Sequence, residues 1–311
     1  LFFKPTLKLH PEPPTIQSYR HKSSYPGRIE GGLRVQGKFR KKSSPGLPLI
    51  TILTIVYNGE KSLDKTIHSV LNQTYDNIEY IVIDGGSTDN TVNMINKYED
   101  QIAYWISEPD SGISDAFNKG IVFSTGEMIG IINADDWYSQ DAVEILVDEY
   151  LKSGECVFHA KLKYWTRDMK QYYVFSGSDE KIWIKPTFNH PTVFVPKSIY
   201  DKTGLFRLDF KSAMDYEWFL RAKVKNVKFC YLDKIIANMS PCGRSDIHWW
   251  KNYLEVMHAR NLHGMNPVKN FVLFLNMVLV TFLRKSFEWA GLNWIVLVYR
   301  KYFSIVRKEK L

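Results

Sequence analysis

The sequence predicts an α/β fold, a Rossmann-like and mostly parallel central sheet with flanking helices. Three observations predict it. Strand-like and helix-like segments alternate four times between residues 49 and 151, which implies right-handed crossovers between parallel strands. The strand segments are nearly unbroken β-branched runs, as LITILTIVY (49–57) shows, and such runs suit strands covered on both faces. Each run then stops at a polar loop rich in Asn, Asp, Gly and Ser.

The elements follow in order. After strand 49–57, the stretch 61–73 carries Leu63, Ile67, Val70 and Leu71 at helical spacing. Residues 78–84 (IEYIVID) read as a second strand and 88–99 as a second helix. Residues 102–107 and 114–124 repeat the unit, as do 128–133 (MIGIIN) and 141–151. From 155 to 240 the pattern is mixed, with short strands near 156–165, 171–175 and 192–195, a helix at 212–224 and a strand at 227–232. Beyond Pro241 the chain reads as helices at 246–262, 268–288 and 291–306. The predicted organisation is a flexible basic arm over 1–46, an α/β unit over 47–240 and a helical C-terminal extension over 241–311.

Composition narrows the function classes. The 311 residues are 45% apolar and 14% aromatic, as in a globular chain. The formal charge of +8 resides in residues 1–46, which hold ten Lys/Arg and two Glu; the remainder carries 31 of each sign. A basic nucleic-acid surface on the body is therefore not expected. Cys156, Cys230 and Cys242 show no metal-ligand spacing; with no apolar leader segment at the start, they predict a reducing, cytoplasmic setting and thiols without a special role. The apolar run 271–283 is thirteen residues long and contains Asn276. That is short of the roughly twenty residues a membrane span needs. With Trp289, Trp294, Tyr299 and the basic end 307–310 it predicts interfacial membrane contact or a helical cap; both readings stay open.

In a parallel sheet, ligands bind beyond the carboxyl ends of the strands. Here those ends are Tyr57-Asn58-Gly59, DGGSTD (84–89), SEPDSG (107–112) and NADDW (133–137). This places Asp84, Asp89, Glu108, Asp110, Asp135 and Asp136 on one rim. Clustered carboxylates repel, and a divalent Mg²⁺ or Mn²⁺ completed by substrate phosphates is the economical remedy. Asp89 has a simpler reading as a helix cap. No phosphate-binding P-loop, no G-x-G-x-x-G after the first strand and no G-x-S-x-G elbow is present.

The series TIVYNGEKSLDKTIHSVLNQTYDNIEYIVIDGGSTDNT, SEPDSGISDAFNKGI and NADDW, in this order and spacing, resembles the family 2 glycosyltransferases of GT-A fold. The resemblance covers about residues 48 to 240. It implies an inverting transfer of sugar from a nucleotide-diphosphate sugar to an acceptor hydroxyl, with Mn²⁺ or Mg²⁺ as cofactor. On this resemblance, 133–135 stands for the family's D-x-D element, with Asp135 as metal ligand and Asn133 where the first acid usually lies. Asp136 assists or caps the next helix. Tyr57 stands for an aromatic near the nucleobase. Asp84 is the acid kept from a D-D-x-S pattern whose second acid is Gly85 here. Asn118 and Lys119 match a helix segment under the donor. MDYEWFLR (214–221) resembles the helix start that offers the general base, Asp215, although Met214 replaces the frequent preceding acid. His190 in NHPTVF matches an acceptor-side histidine, and Arg244 with His248 suggests a cationic flap over the diphosphate. The Q-x-x-R-W element of processive synthases is replaced by CGRSDIHWW, so a single addition is expected. The acceptor implied is a lipid-linked or glycan intermediate of surface polysaccharide synthesis, reached at the inner face of the plasma membrane. A non-catalytic nucleotide-sugar-binding subunit of the same fold is the alternative, motivated by Asn133, Gly85 and Met214.

Overall fold

The computed structural model describes residues 12–20, 25–166, 169–240, 249–292 and 308–309. A short helix α1 (Ile16–Arg20) and strand β1 (Ile29–Gly31) precede the α/β unit. Strands β2 (Ile50–Val56), β3 (Ile78–Asp84), β4 (Tyr104–Ser107) and β5 (Met128–Asn133) alternate with helices α2 (Leu63–Leu71), α3 (Thr91–Asn96) and α4 (Ile113–Phe123). These four strands pair in parallel, in the order β4-β3-β2-β5. The second half supplies β6 (Trp137–Tyr138), α5 (Ala142–Ser153), β7 (Val157–Trp165), β8 (Tyr172–Ser176), β9 (Val193–Pro196), α6 (Lys197–Thr203), α7 (Met214–Val224) and β10 (Phe229–Met239). They extend the sheet as β5-β9-β7-β10-β6, with β9 antiparallel to β5 and β7, and β10 parallel to β7. Strand β1 closes the other edge, antiparallel to β4. Helices α8 (Trp249–Leu262) and α9 (Pro267–Trp289) form the described part of the extension.

Burial on both faces explains the unbroken apolar runs. Within β3, Ile78, Tyr80 and Val82 enter one core while Ile81 and Ile83 enter the other, as the two-residue period of a strand requires. Gly130 in β5 has no room for a side chain: a Cβ there would lie 2.3 Å from the Phe194 ring of β9. Glycine is what lets an aromatic from the antiparallel half sit on the parallel half.

Four expectations are corrected. The basic arm is not loose where it is described. Ile16 and Tyr19 are buried in the core, the Arg34 guanidinium pairs with fully buried Glu79, and Arg28 Nε lies 2.6 Å from Glu108. Two positive charges of this segment, Arg28 and Arg34, are thus spent on buried acids of the body. Strand 227–232 runs on to Met239, because β7 gives it a parallel partner as far as Tyr164. Cys156 and Cys230 are joined in a disulfide with Cα atoms 6.0 Å apart; Cys242 lies outside the described residues. Their 74-residue separation hides the pairing in sequence, since only the β7–β10 register makes them neighbours. Lastly, the apolar run 271–283 belongs to a 23-residue helix. Its segment Pro267–Phe287 is long and apolar enough to cross a membrane, with 11% of its most apolar window buried. The helix predicted at 291–306 falls almost wholly outside the described residues.

Candidate active site

The loops at the carboxyl ends of β2 to β5 touch one another. The Asn58 side-chain carbonyl accepts from Thr88 N at 2.9 Å, and Asn58 N donates to Ser87 Oγ at 2.8 Å. A Cβ on Gly59 would sit 3.6 Å from the Ala134 Cβ, and one on Gly85 would sit 2.6 Å from Asp110 Oδ2. Lys211 Nζ, from the segment before α7, donates to Ser111 O at 3.2 Å. The predicted rim is therefore one continuous surface that reaches the start of α7.

The acids on that rim do different things. Asp84 is fully buried and accepts from Ser87 N at 3.0 Å, Gly86 N at 3.2 Å and Ser107 Oγ at 2.6 Å. It builds the turn that carries DGGSTD. Asp89 holds the start of α3, accepting from Thr91 N at 3.0 Å. Glu108 is buried between Arg28 Nε at 2.6 Å and Lys119 Nζ at 2.8 Å. Against the cost of burial, these two cations hold its carboxyl below the usual range. The sequence argument for a metal drew on six unpaired acids. Arg28 and Lys119 remove Glu108 from that set, and Asp84 and Asp89 are satisfied by donors. Lys119 is correspondingly a partner of Glu108, and Asn118 is buried with its amide on Phe206, donating to O at 2.8 Å and accepting from N at 2.9 Å. Both side chains underpin the rim from below.

Asp110 in turn accepts from Gly112 N at 2.8 Å, and what remains is the pair at the end of β5. Asp135 stands at the surface while Asp136 is 2% exposed. Asp136 Oδ1 accepts from Ser240 N at 3.0 Å, and Ser240 Oγ donates to Asp135 O at 2.6 Å. Its other oxygen, Oδ2, is buried without a hydrogen-bond partner among the described residues. Burial, and then the charge of Asp135, pushes the Asp136 carboxyl well up; desolvation raises Asp135 as well. Two adjacent carboxylates pushed in this direction are a hard-oxygen donor set that a cation would relieve. No group of three His, Cys, Asp or Glu side chains suited to a metal gathers among the described residues. The arrangement fits an ion held by one or two carboxylates and otherwise by substrate phosphates. Tyr57, 61% exposed, follows the end of β2 and presents its ring to solvent rather than to the core.

Asp215 lies in the first turn of α7, half-buried, with Oδ1 accepting from Tyr216 N at 2.7 Å. Burial raises its pKa to about 6, and the nearby Glu255 carboxylate adds to the rise against two backbone hydrogen bonds. His190 stacks on Phe117 at 4.8 Å between ring centroids, with Phe206 edge-on. Desolvation lowers its pKa to about 4, so the imidazole is neutral at pH 7. Arg244 and His248 fall outside the described residues. Sequence reasoning missed Arg28, Ser240 and Glu255. Each acts on the site from a distant segment, and no local spacing marks it.

A parallel sheet whose acids converge at its carboxyl rim, extended by an antiparallel half that delivers a further acid, defines a GT-A glycosyltransferase. The model of Glycosyl transferase family 2 matches residues 51–216, and the chain belongs to that family. It is 30% identical over 199 residues to the chondroitin synthase of Pasteurella multocida, which covers 62% of this chain and 20% of the synthase. It is 33% identical over 184 residues to an uncharacterized glycosyltransferase of Mycobacterium tuberculosis, covering 56% of this chain and 69% of that one. The chain thus spans about a fifth of the synthase's length. Among solved structures, residues 1–349 of S. aureus TarS in complex with UDP-GlcNAc superpose with a TM-score of 0.56 at 17% identity, over 82% of this chain and 76% of that one. The mannosyltransferase PcManGT of Pyrobaculum calidifontis, in complex with GDP-Man and Mn²⁺, gives 0.54 at 16% identity over 82% and 81%. At this identity the superpositions speak for the fold.

Proposed function

We propose that the protein is an inverting, metal-dependent glycosyltransferase that moves one sugar from a nucleoside-diphosphate sugar to an acceptor hydroxyl. The observation that carries this reading is Asp215, a carboxylate raised to about pKa 6 on a turn tied to the same rim as Asp135. A base of that strength is ionised at pH 7 yet accepts a proton more readily than an ordinary aspartate. Oδ1 is occupied by Tyr216 N, which leaves Oδ2 for the acceptor. The acceptor oxygen forms its bond to the anomeric carbon as its proton passes to Asp215. The bond to the diphosphate breaks with its electron pair leaving on the nucleoside diphosphate, and attack opposite the leaving group inverts the carbon.

On the donor side, Tyr57 offers a ring to the nucleobase and Asp135 would hold Mn²⁺ or Mg²⁺, with Asn133 and Asp136 beside it. When bound, such an ion offsets the charge developing on the diphosphate. The solved relatives complexed with UDP-GlcNAc and with GDP-Man and Mn²⁺ support a donor of this class. The relative named chondroitin synthase supports a glycan acceptor; a lipid-linked one is the reading that membrane contact would favour. Helix α9 supports contact with a membrane surface: Val268, Phe271, Val272, Leu275, Leu279, Phe282 and Leu283 are exposed along it, and residues 267–287 contain no acid.

The test is release of nucleoside diphosphate from a panel of nucleotide sugars and acceptors with Mn²⁺. Asp135→Ala is expected to lose both metal-dependent donor binding and turnover. Asp215→Asn is expected to lose turnover and keep donor binding. Turnover surviving in Asp215→Asn overturns the base assignment, and donor binding without turnover in the wild type favours the non-catalytic subunit instead.

A further inference from the structure

Helix α7 begins without a cap of its own. The residue before it is Ala213, which has no side-chain acceptor, and no side-chain cap hydrogen bond is made there. The first amides of a helix need partners, commonly a Ser, Thr, Asp or Asn at this position. The amides held from outside are those of the turn that leads into the helix, up to Ala213 itself, and their acceptor comes from 42 residues away. Glu255 of α8 takes Ser212 N at 2.8 Å, Ala213 N at 2.9 Å and Lys211 N at 3.1 Å on Oε2, and Lys211 N at 3.0 Å on Oε1. Three consecutive amides therefore converge on one carboxylate at the positive end of α7, where negative charge is favoured.

The helix that carries Glu255 is itself fixed. Arg260 is fully buried and donates from Nε to Tyr216 Oη at 3.0 Å and from Nη2 to Ile184 O at 2.5 Å. His263 Nε2 lies 3.0 Å from Glu217 Oε1, which also pairs with Arg221. Both contacts are to the two residues that follow Asp215. Tyr253 Oη meets Thr281 Oγ1 at 2.7 Å, joining α8 to α9. Near the turn, Arg207 is paired with Asp209, His258 is stacked on Phe210, and the Lys211 ammonium is donated to Ser111 O.

We propose that Glu255 is a positioning residue for the catalytic base: from the C-terminal extension it holds the turn that presents Asp215 and keeps a negative charge beside it. The proposal rests on the assignment of Asp215 as base. It gives the extension a part in the reaction besides any membrane contact. It also supplies from α8 the neighbouring acid that Met214 denies the helix start. Burial is the larger cause of the raised Asp215 pKa, and the Glu255 charge acts in the same direction.

The experiment compares Glu255→Ala, Glu255→Gln and Asp215→Asn with the full-length wild type. It reads kcat and donor KM, thermal melting, and the Asp215 carboxyl titration by ¹³C NMR, assigned by its loss in Asp215→Asn. Glu255→Ala is expected to lower kcat about tenfold or more, because the base is released from its place, with donor KM unchanged. Glu255→Gln keeps a carbonyl for Ser212 N and Ala213 N; it should recover most of kcat while the Asp215 midpoint falls below the wild-type value. Wild-type kcat in Glu255→Ala overturns the proposal, as does an unchanged Asp215 midpoint in Glu255→Gln. If Asp215→Asn retains turnover, the base assignment fails, yet the carboxyl titration still decides whether Glu255 acts on Asp215.

Discussion

Asp215 carries opposite consequences for rate and for stability. Its folded pKa of about 6 lies above the ordinary aspartate value, so the folded state holds this proton more tightly than the unfolded chain. The stability it contributes is fully present below the unfolded pKa and is lost as pH rises through about 6. Turnover follows the reverse course, since only the carboxylate accepts a proton: kcat/KM should fall on the acid side with a midpoint near pH 6 in the free enzyme. Asp215→Asn should raise Tm at pH 7.5 and lose that advantage near pH 4, with the melting curves as the check. Asp135 and Asp215 were legible in the sequence from their neighbours in NADDW and MDYEWFLR. Their supports were not, because Ser240 and Glu255 stand 105 and 42 to 44 residues from what they hold, and no local spacing encodes such contacts.

Among the elements, the four parallel strands were the most legible, because burial on both faces leaves β-branched runs that few other structures require. The N-terminal segment was the least. Its Lys and Arg content reads as a solvated arm until β1 pairs with β4 and brings Arg28 and Arg34 to buried acids. Breaking one partner of a buried ion pair costs about 3–5 kcal/mol, so Arg34→Ala should lower unfolding free energy by about that amount in a denaturant titration. A loss below about 0.5 kcal/mol, usual for an exposed side chain, would return the segment to a loose arm. Helix α9 was legible to within a residue at each end; what the sequence underestimated was its apolar stretch, read as ending at residues 271 and 283 where the helix is apolar over Pro267–Phe287. Asn270 is in fact buried, donating to Met257 O and Asn261 Oδ1, both at 2.7 Å. Replacing Phe271, Leu275, Leu279 and Phe282 together by Ser should abolish cosedimentation with anionic vesicles while leaving donor binding intact. Cosedimentation equal to wild type would assign the exposed row to another partner.

At the scale of the molecule, the two halves divide the chemistry. The parallel half ends in Tyr57 and the Asp135–Asp136 pair, the donor side of the proposed function. The antiparallel half and the extension deliver Asp215, His190 and Glu255. They are joined where Gly130 admits Phe194 and where Ser240 binds Asp135 and Asp136. The central claim is that Asp135 holds a divalent ion through which the donor diphosphate is bound. The most direct measurement is the thermal shift of the wild type and Asp135→Ala with nucleotide sugars, with and without Mn²⁺. A ligand that binds only the folded state, at a hundred times its Kd, stabilises by about 2.7 kcal/mol. The expected result is a rise in Tm for the wild type that requires both Mn²⁺ and the nucleotide sugar and is absent in Asp135→Ala. An equal rise without metal, or in Asp135→Ala, would contradict it.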